Sequence, residues 1–263
     1  MNVLPNISTD VEATTTQAPS ISSSAMLVTF NVTLPTFRRK DRTATEQVTQ
    51  TNNTDRRAVN VTKALLGEGD NQCEEYKALR AFIGDTRNNV FYARTLPWED
   101  RGARLLTTAM YFDFHEDMTG RIQEAEDMWN KFLGVYDFQR DVRAKQSLGY
   151  LWNPNEYPTI DELRHDGFRI SINYSNVPEA GDVRVDLPNE AVQIIKDDMQ
   201  SAFDKRLQGS MNNLWHQLHD QLNVFIKSLS FDDAGKPRKI YDSVFDRLND
   251  LVDMLHSCNI TKD

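Results

Sequence analysis

The sequence predicts an α+β fold that is mainly α, with a long antiparallel helical hairpin, additional helices and a small three-stranded antiparallel sheet at one end. Two long stretches, 188–229 and 118–148, carry apolar residues at spacings of three and four, which places these residues on one face of a helix. Short segments that are apolar at every second position indicate strands. Each long helix needs a partner along its apolar stripe, so we expect the two to pack against each other.

The chain begins with a segment that lacks the material for a core. Residues 1–24 are rich in Ser, Thr, Ala and Pro and contain few large apolar groups. Such a segment buries too little surface to offset the entropy of ordering it, which predicts a flexible tail. Residues 26–34 then alternate with a period of two, which predicts a strand that Pro35 ends.

Helical spacing resumes at Asp55 and predicts three helices, over 55–66, 72–96 and 97–105. Gly67 suits the end of the first helix, and Pro97 suits the first turn of the third. The aromatic-rich residues 109–116 are expected to link two helices. The helix over 118–148 follows, and its stripe consists of Met118, Ile122, Ala125, Trp129, Phe132 and Tyr136.

The second half of the domain contains the remaining strands and the longest helix. Thr159 and Glu162 form a capping-box pattern, which predicts a short helix. Alternation over 168–174 and 183–187 predicts a hairpin that leads into the long helix, with the strand over 26–34 as the third member of the sheet. The stripe of the long helix consists of Val192, Ile195, Met199, Phe203, Leu207, Met211, Leu214, Leu218, Leu222, Phe225 and Leu229.

A loop-like composition after Leu229 and a final amphipathic stretch over 239–256 complete the chain. We therefore expect three parts. They are a tail over 1–24, a helical domain with a small sheet over 25–229, and a linker with a C-terminal helix over 230–263 that packs on the main body.

Composition limits the function. The 263 residues are 39% apolar and 26% charged, with a net charge of −9, which argues against a general affinity for nucleic-acid backbones. The start of the chain lacks the basic and apolar regions of a signal peptide, and no run reaches the roughly 20 apolar residues of a membrane helix. We expect a cytoplasmic protein without membrane contact, in which Cys73 and Cys258 are buried, reduced thiols.

Two groups of cations are candidate contacts for a partner or a phosphate. The first lies in the most basic short stretch of the chain and comprises Arg38, Arg39, Lys40 and Arg42. The second is the pair Arg101 and Arg104, which is flanked by two carboxylates. Arginine pairs bind carboxylates and phosphates well. The alternative interpretation is a solvated strand exit for the first group, and a helix N-terminus with local ion pairs for the second.

Catalytic motifs are missing from the sequence. It contains no phosphate-binding P-loop, no dinucleotide fingerprint and no Gly-x-Ser-x-Gly elbow. His216 and His219 lie one helical turn apart, but outside the His-Glu-x-x-His pattern of a zinc site. The ionisable residues Asp113, His115 and Glu116 leave a metal-dependent hydrolase open as an alternative. The balance favours a non-enzyme without cofactor or metal.

Three short motifs suggest a family. Residues 97–106 read PWEDRGARLL, residues 157–163 read YPTIDEL, and residues 181–185 read GDVRV. In this order, with the opening strand and the long helices, they resemble a family of uncharacterised proteins carried by tailed bacteriophages, over about residues 26–228. The genes of that family often lie near a MoxR-type AAA ATPase and a protein with a von Willebrand A domain. The resemblance implies a phage-encoded adaptor in the host cytoplasm and no known catalytic residues.

Several functions therefore remain open at this stage. The first is a non-enzymatic interaction protein that self-associates or docks on an AAA ATPase. The second is an accessory protein of the virion. The third is a nucleic-acid-binding protein that uses the basic stretch 38–42, with help from Arg56 and Arg57.

Overall fold

The computed structural model describes residues 24–98, 102–178, 189–229 and 242–258 of the chain. Within these ranges the strands are β1 (Ala25–Thr33), β2 (Arg38–Lys40), β3 (Thr62–Ala64), β4 (Leu96–Pro97), β5 (Arg104–Thr107) and β6 (Arg169–Asn176). The main sheet is antiparallel with the strand order β4-β5-β1-β6, and β2 pairs with β3 in a separate ladder. The predicted tail, apart from Ser24, lies outside the described residues.

The helices over the same ranges are α1 (Arg42–Asn52), α2 (Glu74–Asp85), α3 (Tyr111–Phe138), α4 (Lys145–Leu148), α5 (Ile160–Glu162), α6 (Asn189–Ser228) and α7 (Asp242–Cys258). Wider π-type turns continue α2 over Thr86–Phe91 and join α3 to α4 over Gln139–Ala144. The predicted class is confirmed, because a mainly helical chain surrounds a small antiparallel sheet.

The sheet was predicted only in part. The pairing of the first strand with 168–174 is confirmed, with Val28 opposite Tyr174 and Phe30 opposite Ile172. The predicted third strand, over 183–187, lies outside the described residues. The other neighbour of β1 is β5, in which Leu105 lies opposite Leu27.

The prediction of a helix over 97–105 is wrong, because these residues supply β4 and the start of β5. Leu105 and Leu106 are both buried, and they pack in different apolar clusters on the two faces of the sheet. Two adjacent buried leucines fit a strand that is covered on both sides. Gly102, next to this strand, is also unfavourable in a helix interior.

Two further assignments need correction. The predicted helix over 55–66 is wrong, because this segment consists of turns and β3, while the helix lies earlier, as α1. The predicted link over 109–116 is mostly helical, because α3 begins at Tyr111. The capping box before α5 is confirmed, since the Glu162 amide donates to the Thr159 hydroxyl at 3.2 Å.

The sheet lies between two helical hairpins. On one side Val28 and Leu106 pack with Phe114 and Met118 of α3. On the other side Leu27 and Leu105 pack with Leu214 of α6 and Leu251 of α7. The expected packing of α3 against α6 is therefore wrong, because each helix covers a different face of the sheet.

The two hairpins are antiparallel pairs of consecutive helices. In the first, Arg121 near the start of α3 bonds to Asp85 at the end of α2, at 2.7 Å between Nη1 and Oδ2. In the second, Phe225 near the end of α6 meets Phe245 near the start of α7, with ring centroids 5.4 Å apart. The predicted long helix is confirmed as one uninterrupted element of 40 residues, and α7 is its antiparallel partner.

Candidate functional site

The α6–α7 hairpin exposes a row of large apolar side chains, which we call the apolar flank. Its members are Trp215, Leu222 and Ile226 on α6, Leu229 directly after α6, and Phe245 and Val252 on α7, and each is between 43% and 62% exposed. Spacings of seven, four and three residues place the first four along one side of α6 and of the turn that follows it. The seven-residue spacing of Phe245 and Val252 places them on one face of α7.

The side chains between these residues carry little charge. The exposed polar residues nearest this row on α6 are Asn212, His219 and Asn223, and none of them is an acidic residue, a lysine or an arginine. Contiguous exposed apolar surface is unusual on a monomeric protein and marks an interaction site. In a chain with a net charge of −9, this flank, whose members are all apolar, is the part of α6 best suited to contact another protein.

The sheet holds the hairpin in place at the other side of α6. Phe203 packs edge-on against the buried Trp98, with ring centroids 5.4 Å apart. The Ser210 hydroxyl donates to the backbone carbonyl of Pro97. Leu214 is fully buried in the same cluster. The apolar flank is therefore presented from a fixed helix, not from a loop.

A second candidate site is a groove of about 860 Å³, which we call the basic groove. It lies between the end of β2, the first turn of α1, residues 56–60 and residues 150–156. Arg39, Lys40 and Arg42 line it, and all three are exposed. No carboxylate of the described residues pairs with any of these three cations.

The floor of the basic groove is a buried ion cluster. The Lys63 ammonium lies 3.3 Å from Asp41 Oδ2 and 2.7 Å from Glu156 Oε2, and it donates to the Leu151 carbonyl at 3.0 Å. Burial by itself would lower the pKa of Lys63, but hydrogen bonds and the charges of the two carboxylates outweigh it and raise this pKa. The pKa of Asp41 is lowered, mainly because its carboxylate accepts from the Ala44 amide.

The predicted site residues do not form one site. Three of the first group come together in the basic groove, while Arg38 pairs with Glu68 at 2.8 Å. Arg104 is remote from this groove, because its guanidinium donates to Thr95 and lies over the Tyr92 ring at 4.7 Å. Burial lowers the pKa of Arg104. Arg101 lies outside the described residues.

The ionisable residues of a hydrolase do not converge either. His115 accepts or donates a hydrogen bond with the Tyr174 hydroxyl at 3.0 Å and stacks on Tyr111. Asp113 instead faces a small cavity with Arg94 and Asp250. Among the residues that the structure describes, no group of histidine, cysteine and carboxylate side chains has the arrangement of a metal site. Cys73 is buried, and burial raises the pKa of its thiol to about 11. The side chain of Cys258 lies outside the described part.

The chain matches no protein-family model, no curated protein and no solved structure. The resemblance to a phage family therefore stays a prediction. None of the described helices combines the length and apolar character needed to cross a membrane.

Sequence reasoning missed part of the basic groove. The fully exposed Tyr150 belongs to it, and so does the pair of buried Lys63 and half-buried Glu156, yet all three are distant from the basic stretch in sequence. The one local signal was Gly149, which has a φ of 53° where α4 ends, directly before Tyr150.

Proposed function

We propose that this chain is a non-enzymatic interaction protein that self-associates through the apolar flank of the α6–α7 hairpin. The observation that carries the proposal is the exposure of six large apolar side chains on this hairpin, in a row on each of its two helices. Leaving them in water costs about 25 cal/mol per Å² of apolar surface relative to burial, so covering them stabilises an assembly.

A second copy of the chain is the occupant that the flank fits best. Around a two-fold axis, the same apolar row meets itself, as in an isologous interface. Two chains of net charge −9 repel each other, but the members of the flank are apolar. A contact through the flank therefore does not bring like charges together at the centre of the interface. Two α6–α7 hairpins joined in this way form a four-helix arrangement.

The resemblance to phage proteins adds a role for such an assembly. We propose that the dimer acts in the host cytoplasm as an adaptor for a MoxR-type AAA ATPase. This part rests on the motifs at 97–106, 157–163 and 181–185 and on the order of the elements. The helical body and the exposed flank are compatible with a docking protein, and support for the ATPase itself comes from the resemblance alone.

Multi-angle light scattering over a range of protein concentrations tests self-association. We expect a dimer for the natural chain and a monomer for Ile226→Glu and Leu222→Glu, because each places a charge in the centre of the contact. Val224→Glu is the matched control. Val224 is 47% exposed on the same helix, two residues from Ile226 and therefore on another side, so this variant should remain a dimer.

A monomer at every concentration, or a dimer that Ile226→Glu leaves intact, would show that self-association through the flank is wrong. The adaptor role is tested separately, by co-purification with a MoxR-type ATPase encoded beside the gene. If the chain is a monomer and captures the ATPase, and if substitution of Leu222 or Ile226 abolishes this capture, then the flank binds the ATPase and not a second copy. Absence of capture would remove the adaptor role and leave the dimer.

A further inference from the structure

The basic groove suggests a binding activity that is independent of the apolar flank. We propose that it binds single-stranded nucleic acid, with phosphates on Arg39, Lys40 and Arg42 and a base stacked on Tyr150. All four side chains line the same groove of about 860 Å³, although more than 100 residues separate β2 from Tyr150 in the sequence.

The charges in the groove favour an anion. Asp41 and Glu156 are both engaged by the buried Lys63, so this cluster contributes one surplus negative charge at the floor. Arg56, which also lines the groove, is neutralised by Glu46 at 2.7 Å. The three exposed cations at the rim therefore outweigh the floor, and the groove is locally positive on a chain of net charge −9.

The anion is held by side chains and not by the end of α1. The N-terminus of that helix is already capped, because Asp41 Oδ1 accepts from the Ala44 amide at 2.9 Å. Arginine guanidinium groups bind phosphate oxygens in a bidentate manner, and Arg39 and Arg42 stand on either side of Lys40 in sequence, at the end of β2 and the start of α1.

Tyr150 distinguishes a nucleic acid from a simple phosphate. Its side chain is fully exposed at 109% of the reference area, and it directly follows Gly149, whose positive φ ends α4. An exposed ring beside a row of cations is the combination that single-strand binding proteins use, since every unpaired base offers a face to stack on. A duplex hides these faces, and the acidic remainder of the chain would repel its long backbone.

Fluorescence anisotropy with a labelled oligothymidine of about 15 nucleotides tests the proposal on the full chain. At low salt we expect binding whose constant falls with a logarithmic slope of about −2, because three phosphate contacts on a single strand each contribute about −0.7. We expect Tyr150→Ala to weaken binding of the oligomer about five-fold or more, without changing the salt slope. A duplex of the same length should bind more weakly and be unaffected by this variant.

Removing the rim cations together, as Arg39→Gln, Lys40→Gln and Arg42→Gln, should abolish the salt-dependent binding. The matched control removes three exposed cations elsewhere, as Lys131→Gln, Lys205→Gln and Arg206→Gln, with the same change in net charge. No binding of the oligomer by the natural chain at low salt would overturn the proposal. Equal losses in the two triple variants, or equal affinity for thymidine monophosphate and the oligomer, would do the same. The salt slope and Tyr150→Ala remain decisive if the groove variant does not fold.

Discussion

The two helical hairpins differ in how completely their apolar stripes are covered. In the α2–α3 hairpin, Leu79, Phe132 and Tyr136 are fully buried. In the α6–α7 hairpin, the stripe residues Leu222 and Leu229 remain 43% and 57% exposed. Both pairs have the same apolar periodicity, so the difference comes from what lies around them.

The α2–α3 hairpin is enclosed by segments from several parts of the chain. Phe37, Leu65, Tyr157 and Leu163 all pack into its cluster, so it is covered on more than one side. The α6–α7 hairpin packs against the sheet through a limited part of α6, around Leu207 to Leu214. An apolar stripe therefore predicts a helix and a contact, but it does not predict whether the partner belongs to the same chain.

The largest expected effect is a loss in the free energy of unfolding when an apolar residue of the α2–α3 hairpin is truncated, compared with one of the α6–α7 hairpin. Phe132 is fully buried and contacts the rings of Trp129 and Tyr76 at 5.1 and 5.2 Å. We expect Phe132→Ala to lower the free energy of unfolding by about 3–5 kcal/mol because it leaves a cavity. Urea denaturation followed by circular dichroism measures it. Leu222→Ala, in the exposed part of α6, should change stability by less than about 0.5 kcal/mol in the monomer.

The next effect concerns the ion cluster of Lys63, Asp41 and Glu156 at the floor of the basic groove. Lys63→Met leaves the carboxylates of Asp41 and Glu156 without their cation, and Asp41 is buried. We expect a loss of about 3 kcal/mol in the free energy of unfolding, because breaking a buried pair leaves an uncompensated charge. The exposed Lys131→Met is the control. Equal stability of the two variants at neutral pH would show that the cluster is not coupled to folding.

A smaller effect is expected in the core of the α6–α7 hairpin. Leu214 is fully buried, but its neighbours Phe203, Leu207 and Met211 are only half-buried and can relax around a cavity. We expect Leu214→Ala to cost about 2 kcal/mol, the low end of the range for leucine truncation. Hydrogen exchange should show the loss of protection mainly in α6 and α7. A loss spread equally over α2 and α3 would mean that the two hairpins unfold as one unit.

The smallest effect is a pH dependence of opposite sign in the two regions. The pKa of Asp41 is lowered by the Ala44 amide, so its contribution to stability is present above the unfolded pKa near about 4 and is lost as the pH falls through the lowered value. The pKa of Asp250 on α7 is raised, mainly by burial. The charged form of Asp250 therefore lowers the stability at neutral pH, and this loss is relieved as the pH falls through that raised value.

Asparagine variants, which keep the shape of each side chain, separate the contributions of Asp41 and Asp250 to the pH dependence of stability. Asp41→Asn retains an N-cap acceptor but removes the charge, so it should reduce the loss of stability in acid. Asp250→Asn should instead remove a gain in stability between neutral and mildly acidic pH. Unfolding midpoints measured against pH check both. A common direction for the two variants would contradict the assigned pKa shifts.

The sequence predicted what depends on neighbours along the chain. The stripe on α6, the pairing partners β1 and β6 and the capping box of Thr159 and Glu162 were all recognised from local patterns. Three cations of the basic groove were also recognised, because they are adjacent. The groove itself was not predictable, since Tyr150 and Glu156 reach it only through the fold.

Two of the errors have the same physical origin. The helix predicted over 97–105 and the packing predicted between α3 and α6 both treated apolar residues as the stripe of a helix that faces another helix. In the structure, Leu105 and Leu106 belong to a sheet that is covered on both faces. Burial on two sides gives a continuous apolar run, and such a run looks alike in a strand and in a helix.

The sequence by itself determined that the chain forms long one-sided helices and a central strand, because periodicity is a property of local backbone geometry. The tertiary structure alone decided which stripe is buried, since the sheet is inserted between α3 and α6 and only part of α6 reaches it. It also decided which charges are paired, because the fold brings Lys63 to Asp41 and Glu156, while no carboxylate of the described residues pairs with Arg39, Lys40 or Arg42. Burial and ion pairing depend on residues that are distant in sequence, and no local pattern records them.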